Sequence, residues 1–287
     1  MQALLFLRDA RYFQIIFQCF FLMYGILVLH WDGDLNCFLV YFSCSLLTQL
    51  TWEIAKNNWR VIDLPFFTKG SWKSAAITAF GLCLLLKTSN LSIAALAAII
   101  SISGKYIFTW NKKHVFNPSA LGIVVTILLT QKAWISPGQW GSNAVIFFMV
   151  LSLGFIVVTR VQKADVSIAF LGTYILLVFC RQVLFIGWPV DFFIQSVTTG
   201  SLLLFSFFMI SDPKTTPDHY IARILYAIII AAIAFYLSAF KFINAAPVWV
   251  LVCASPLVPL LDWLFKAGRF QWVQQARNSS HQKTIVV

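Results

Sequence analysis

The sequence predicts an all-α integral membrane protein with about ten transmembrane helices. Three observations carry this. Of 287 residues, 60% are hydrophobic and only 11% are charged, against about 25% charged in soluble domains. The apolar runs are continuous, as from Ala227 to Ala239, where a membrane β-barrel would alternate apolar and polar positions. Lysines and arginines sit mostly in the short stretches between runs and not on one soluble unit. The net charge of +11 therefore reads as membrane orientation and gives no case for nucleic-acid binding.

The segments follow in order. Tyr12–Trp31 comes after Arg8 and Arg11; it is long and lacks a small-residue cleavage site, so it reads as a spanning helix and not a signal peptide. Asn36–Ala55 is next, then Lys73–Leu86, Leu91–Trp110 and Pro118–Thr130. Two of these are short: the last has 13 residues, about 20 Å of helix against about 30 Å of hydrocarbon. A short helix is either a half-helix starting inside the membrane, with irregular backbone buried in protein, or a span across a locally thinned bilayer. Ala144–Thr159, Val166–Cys180, Phe192–Ile210, Tyr220–Phe240 and Ala246–Trp263 complete the set. Residues 1–265 thus form one polytopic membrane domain, and 266–287 a polar cytoplasmic tail.

With the N-terminus inside, ten crossings put the C-terminus inside too. Of 21 lysines and arginines, only Lys87, Lys132, Arg181 and Lys241 then face outward, as the retention of positive charge in cytoplasmic loops requires. Trp31, Trp72, Trp110, Trp188 and Trp263 lie at or near segment ends, where an amphipathic ring favours the headgroup zone. Two short echoes, each of a few residues, point to an internal repeat or arise by chance. Phe66-Phe67 after Pro65 is echoed by Phe192-Phe193 after Pro189, and Phe116-Asn117-Pro118 by Phe242 to Pro247, around Asn244. Five segments per half is an odd number, so the halves would be inverted.

Two constellations stand out as candidate sites. In His114 to Gly122, Asn117 suits an N-cap, Pro118 the first helical position, and Ser119 adds a hydroxyl. The exposed N–H groups and positive helix end could hold an anionic or carbonyl group, or simply cap a helix. The second comprises Thr198-Thr199-Gly200-Ser201 and Phe207 to Pro217, where an Asp212-Pro213 step and Pro217 break the run. An unpaired aspartate at mid-membrane costs about 3 kcal/mol. Asp212 therefore needs the interface or a partner, with Lys214, Arg223 and the Asn117 region as candidates. Glu53, the one glutamate, lies in an apolar run with Lys56 nearby; it serves an ion or proton path or pairs near its helix end. Cys19, Cys37, Cys44, Cys83, Cys180 and Cys253 form no C-x-x-C pair and read as packing residues. The four histidines are scattered, and no metal site is expected.

Taken together, Asn117 to Gly122 and Phe207-Phe208-Met209-Ile210-Ser211-Asp212-Pro213 resemble the NqrB/RnfD family of membrane electron-transport subunits. Its members carry Asn-Pro-Ala/Ser before a short helix and Phe-Phe-Met-Ala-Thr-Asp-Pro later. The resemblance implies two inverted five-helix repeats, flavin carriage, electron transfer coupled to ion movement, other electron-transport subunits as partners, and a bacterial inner-membrane location. The redox members attach flavin mononucleotide to a threonine in Ser-Gly-Ala-Thr. That motif is absent here, including from Ile123–Asn143 with its Ser136-Pro137-Gly138-Gln139-Trp140-Gly141-Ser142 stretch. The chain is thus similar to a short member in which flavin mononucleotide or riboflavin is held noncovalently. Asn117, Pro118, Ser119, Thr199, Gly200 and Asp212 are its expected binding residues, and Glu53 its ion path. A transporter or channel for a small solute or flavin, and a non-catalytic membrane assembly partner, are the competing expectations.

Overall fold

The computed structural model describes residues 9–31, 35–57, 64–68, 70–111, 113–136 and 144–268, without the side chains of 144–148 and 150. Most of the tail expected at 266–287, the 137–143 stretch and the cations Arg8, Arg60, Lys69, Lys112, Arg269, Arg277 and Lys283 lie outside these residues.

The protein is a multi-pass, all-α membrane protein. In chain order the helices are α1 (Ala10–Leu27), α2 (Leu35–Lys56), the single turn α3 (Pro65–Thr68), α4 (Trp72–Leu85), α5 (Leu91–Ile107), α6 (Pro118–Thr130) and α7 (Ala144–Val161). There follow α8 (Ala164–Phe179), α9 (Val190–Val197), α10 (Gly200–Leu204), α11 (Tyr220–Lys241), α12 (Ala246–Ala254) and α13 (Leu257–Leu264). Among the described residues, α1, α2, α8 with its π-helical continuation to Phe185, and α11 are long and apolar enough to cross a bilayer. Two further spans arise if α9–α10 and α12–α13 each count as one.

Side chains bond the free ends of the helix backbones, which lipid cannot solvate. Asp9 accepts from Arg11 N at 3.1 Å at the start of α1. Asn90 accepts from Ile93 N at 3.1 Å at the start of α5. Gln131 and Phe242 take left-handed backbone to end α6 and α11. Two expected single helices are broken instead. Phe192–Ile210 bends by 47° at Thr198-Thr199, and Ala246–Trp263 bends by 54° before Leu257. Pro256 explains the second, because its ring removes a donor and crowds the preceding turn. The segment after α10, Phe205–Met209, is π-helical, a form that concentrates at functional sites.

Small strands interrupt the all-helical pattern. Leu86–Thr88 (β1) continues α4, and Ala133–Ile135 (β4) returns after α6 and pairs antiparallel with it. Thr109–Trp110 (β2) and Lys113–His114 (β3) form a hairpin between α5 and α6. The first pair accounts for the shortness of α4. Its 14 residues give about 21 Å of helix, and three strand residues add about 10 Å, together about the thickness of the hydrocarbon core.

Helix α6 is short for a different reason. Its first turn sits beside the middle of α4, so close that a Cβ on Gly81 would lie 2.9 Å from Ser119 Oγ. Gly81 is nine residues along α4, so α6 begins about 14 Å inside the level at which α4 starts. Such an offset is what a half-helix requires. Around it, α4 packs on α1 and α2, α5 on α2 and α6, and α8 on α11. The short helices α6 and α12 touch, as do α1 and α7.

Candidate functional site

The site begins with Asn117, which does three things at once. Its Oδ1 accepts from Ala120 N at 3.2 Å, capping α6, and from Ser119 Oγ at 2.9 Å. Its Nδ2 donates to Met209 O at 3.3 Å. The two constellations, far apart in sequence, are therefore joined by one buried carboxamide. Pro118 sits at the first helical position, where its missing N–H leaves nothing unpaired.

Beyond Met209 the chain turns tightly around Asp212. Its carbonyl accepts from Thr215 N and Thr216 N, each at 3.1 Å, and its Oδ1 accepts from Lys214 N at 2.9 Å. Ser211 Oγ back-bonds to Phe207 O at 2.5 Å. Arg223, one expected partner of Asp212, instead lies 3.0 Å from Asp165. Lys214 approaches through its backbone, as well as through its charge.

These groups line a cavity of about 200 Å³ between the α1/α4/α6 cluster and the α7/α10 cluster. Arg11 and Lys214 line it, as do the buried Lys105 and the acid Asp212. Gly81, Ser119, Leu84 and Gln18 also face it, with Phe207 and Phe208 supplying aromatic wall. Gln18 is 3% exposed, and its Oε1 has no hydrogen-bond partner among the described residues.

At the outer end, Arg11 and Lys73 share Asp9, at 2.8 and 2.9 Å. Burial raises the Asp9 carboxyl, but hydrogen bonds from Arg11 and Lys73 outweigh it and hold the group below its usual range. His114 donates from Nδ1 to Lys105 O at 3.0 Å, since a carbonyl can only accept. Burial, then the nearby Lys105 and Lys214 cations, push it down to about 3, so it is neutral at pH 7.

Glu53 stands behind this wall. Its Oε1 accepts from Gln49 Nε2 at 2.6 Å, from Tyr106 OH at 3.2 Å, and from Ser71 Oγ. Gln49 Oε1 in turn accepts from Lys105 Nζ at 2.9 Å. Ser71 and Lys105 both face the cavity, so Glu53 is one hydroxyl removed from it. Glu53→Leu leaves three donors without their acceptor. An expected loss of about 3 kcal/mol, read as a lower melting temperature in detergent, follows from breaking a buried charged network. Glu53→Gln should recover part of it.

Thr199 and Gly200 do not join this site. Thr199 faces a separate cavity of about 180 Å³ with Tyr174, Asn244 and Pro247, while Gly200 is buried at the first position of α10. Among the described residues no histidine, cysteine and carboxylate group has metal-binding spacing, and all six cysteines are free thiols. Sequence reading missed Gln18, Gln49, Ser71 and Lys105. The one available signal was Gln14 and Gln18, a polar pair four residues apart on an apolar helix.

Near the same end of the bundle, Lys163 bridges α7 and α8 and donates to Pro217 O at 3.0 Å. Burial, then the Arg223 and Lys113 cations, push it down to about 7, against pull from Asp218 and Asp165. Between this value and the ordinary lysine range, the unfolded chain holds more protons, so stability rises with pH. Below pH 7 both states are protonated and the cost of the buried charge is felt in full. Melting temperature in detergent should climb from pH 7 to 9, and Lys163→Met should flatten that rise.

Among curated proteins, none matches the chain. A family model, described as the NQR2, RnfD, RnfE family, matches residues 128–271. The match spans half of the 287 residues and includes the Phe207 to Pro213 signature that frames the cavity. It begins beyond Asn117, but Asn117 is bonded directly to that signature. On the extent of this match, the chain belongs to the NQR2, RnfD, RnfE family.

Proposed function

We propose that the protein is a membrane subunit of an Rnf/Nqr-type electron-transport system, and that the Asn117–Asp212 cavity holds riboflavin or flavin mononucleotide noncovalently. The observation that carries this is the direct bond from Asn117 to Met209 O at the cavity wall, which unites the two motifs of the family resemblance. The residues fit such a ligand. Phe207 and Phe208 offer apolar wall for a ring system, Arg11 and Lys214 offer charge for an anionic tail, and Gln18 presents an unfilled buried acceptor. A flavin, when bound, supplies reversible one- and two-electron transfer.

The remaining work falls to the protein's own groups. A ring seated against the aromatic wall and the closely packed α4 and α6 displaces water, which strengthens the polar contacts it makes. Ser71 links the cavity to Glu53, which can hold a proton or a coupled cation next to the site; coupling to ion movement rests on this placement. The contact pattern supports two inverted halves and ten crossings. The pair α2–α5 has its counterpart in α8–α11, α5–α6 in α11–α12, and α1–α4 in α7–α10. Arg11, Lys105, Lys163 and Lys214 gather near one end of the bundle, which supports a cavity opening to the cytoplasm of a bacterial inner membrane, with both termini on that side. Lipid and other subunits of the system are the partners.

The test is an absorption spectrum of the protein extracted gently with its partners, before and after dithionite. A flavin band that bleaches on reduction is expected. Complete absence of flavin from folded samples would overturn the reading. A second reading, transport of a small solute or flavin, is favoured by the half-helix α6 and the bent pairs. It expects substrate uptake into proteoliposomes and fails if the folded, reconstituted protein passes none of the candidates tested.

A further inference from the structure

We propose that Gln18 reads an imide edge, a ring N–H flanked by carbonyls, on the heterocycle bound in this cavity, and so determines which rings the site accepts. The inference rests on the flavin reading above and deepens it. Three observations lead to it.

The first is an unfilled hydrogen bond. Gln18 is 3% exposed, and its Oε1 is buried without a partner among the described residues. A buried polar atom left unpaired costs about 1–3 kcal/mol, and such atoms in a folded protein call for an explanation. The second is direction, because Gln18 is part of the wall of the cavity. The third is depth. Gln18 lies seven residues beyond Arg11 on α1, about 10 Å further in. The cavity therefore has a charged outer end at Arg11 and Lys214, and an uncharged inner end at Gln18 beside the first turn of α6.

An imide edge meets the carboxamide on both of its atoms. The ring N–H donates to Oε1, and an adjacent ring carbonyl accepts from Nε2, giving two parallel bonds. Turning the carboxamide over exchanges its oxygen and nitrogen; an edge with both a donor and flanking acceptors satisfies either orientation. A lone carbonyl or a hydrocarbon edge leaves Oε1 unpaired. The geometry thus orients the ligand, with the imide edge innermost and any anionic tail toward Arg11 and Lys214.

The experiment compares two probes on the purified full chain: lumiflavin, and lumiflavin methylated at the imide nitrogen. Binding is followed by quenching of probe fluorescence. The wild type should bind lumiflavin at least about tenfold more tightly, because methylation removes the donor and leaves a buried acceptor unpaired. Gln18→Leu should bind both probes alike. Equal binding of the two probes by the wild type would overturn this inference and leave the flavin reading standing. Binding of neither probe by folded wild type would remove both. Because the wild-type comparison needs no variant, a folding defect in Gln18→Leu cannot mask the result, and Gln18→Met, of similar volume, serves as its second test.

Discussion

Gly122→Ala should be among the most damaging single-methyl additions in the protein. Helix α6 crosses α5 at Gly122 so closely that a Cβ there would lie 1.8 Å from Ser101 Oγ and 2.8 Å from Ala97 O. The facing side of α5 is built from small buried residues, Ala94, Ala97, Ala98 and Ser101, as close helix packing in lipid requires. Overpacking a tight core usually costs about 1–3 kcal/mol. Here one of the obstructing atoms is backbone, which cannot move aside, so the upper end of that range is expected. The measurement is melting temperature in detergent together with yield from membranes. Adding Ser101→Ala should restore part of the loss, since it removes the nearest atom, but not all of it, since the Ala97 carbonyl remains.

Asn117→Ala should weaken both the fold and the site. It removes the α6 cap, worth about 1 kcal/mol, and the bond to Met209 O, worth about 1 kcal/mol more. A drop of several degrees in melting temperature is expected, with loss of bound flavin at temperatures where the chain remains folded. Asn117→Ser separates the two roles. Its hydroxyl still caps α6 but is too short to donate to Met209 O as well. It should keep much of the stability while loosening the Phe207–Asp212 wall, which would appear as weaker flavin retention. If Asn117→Ser retained flavin as well as the wild type, the bond between the two motifs would have no part in binding.

What was legible in the sequence was local or compositional. The cap at Asn117-Pro118 follows from two adjacent residues, and the structure places it at the start of α6. The turn at Asp212-Pro213 follows from its own prolines and threonines. The depth at which α6 begins was not legible, because it depends on Gly81 of α4 admitting Ser119. The bend at Thr198-Thr199 was not legible either, since threonine and serine hydroxyls can bond back to the backbone of a straight helix as well as sit at a break. Strands β1 and β4 were masked by their composition, as Leu86 and Ile135 fit an apolar helix equally well. Glu53 was visible as an intramembrane acid, yet its partners Ser71 and Tyr106 come from the start of α4 and from α5. Gln18 became a candidate only once its neighbours proved unable to pair its oxygen.

The proposed function stands on a flavin held in the cavity between the two helix clusters. The most direct test is a riboflavin titration of the purified protein, followed by fluorescence, in the wild type and in Thr78→Trp. Thr78 is buried on α4 and lines the cavity, so an indole there fills the space a ring would take. Saturable one-site quenching is expected in the wild type, and its loss in a Thr78→Trp protein that still melts cooperatively. Undiminished binding by that folded variant, or no binding by folded wild type, would contradict it.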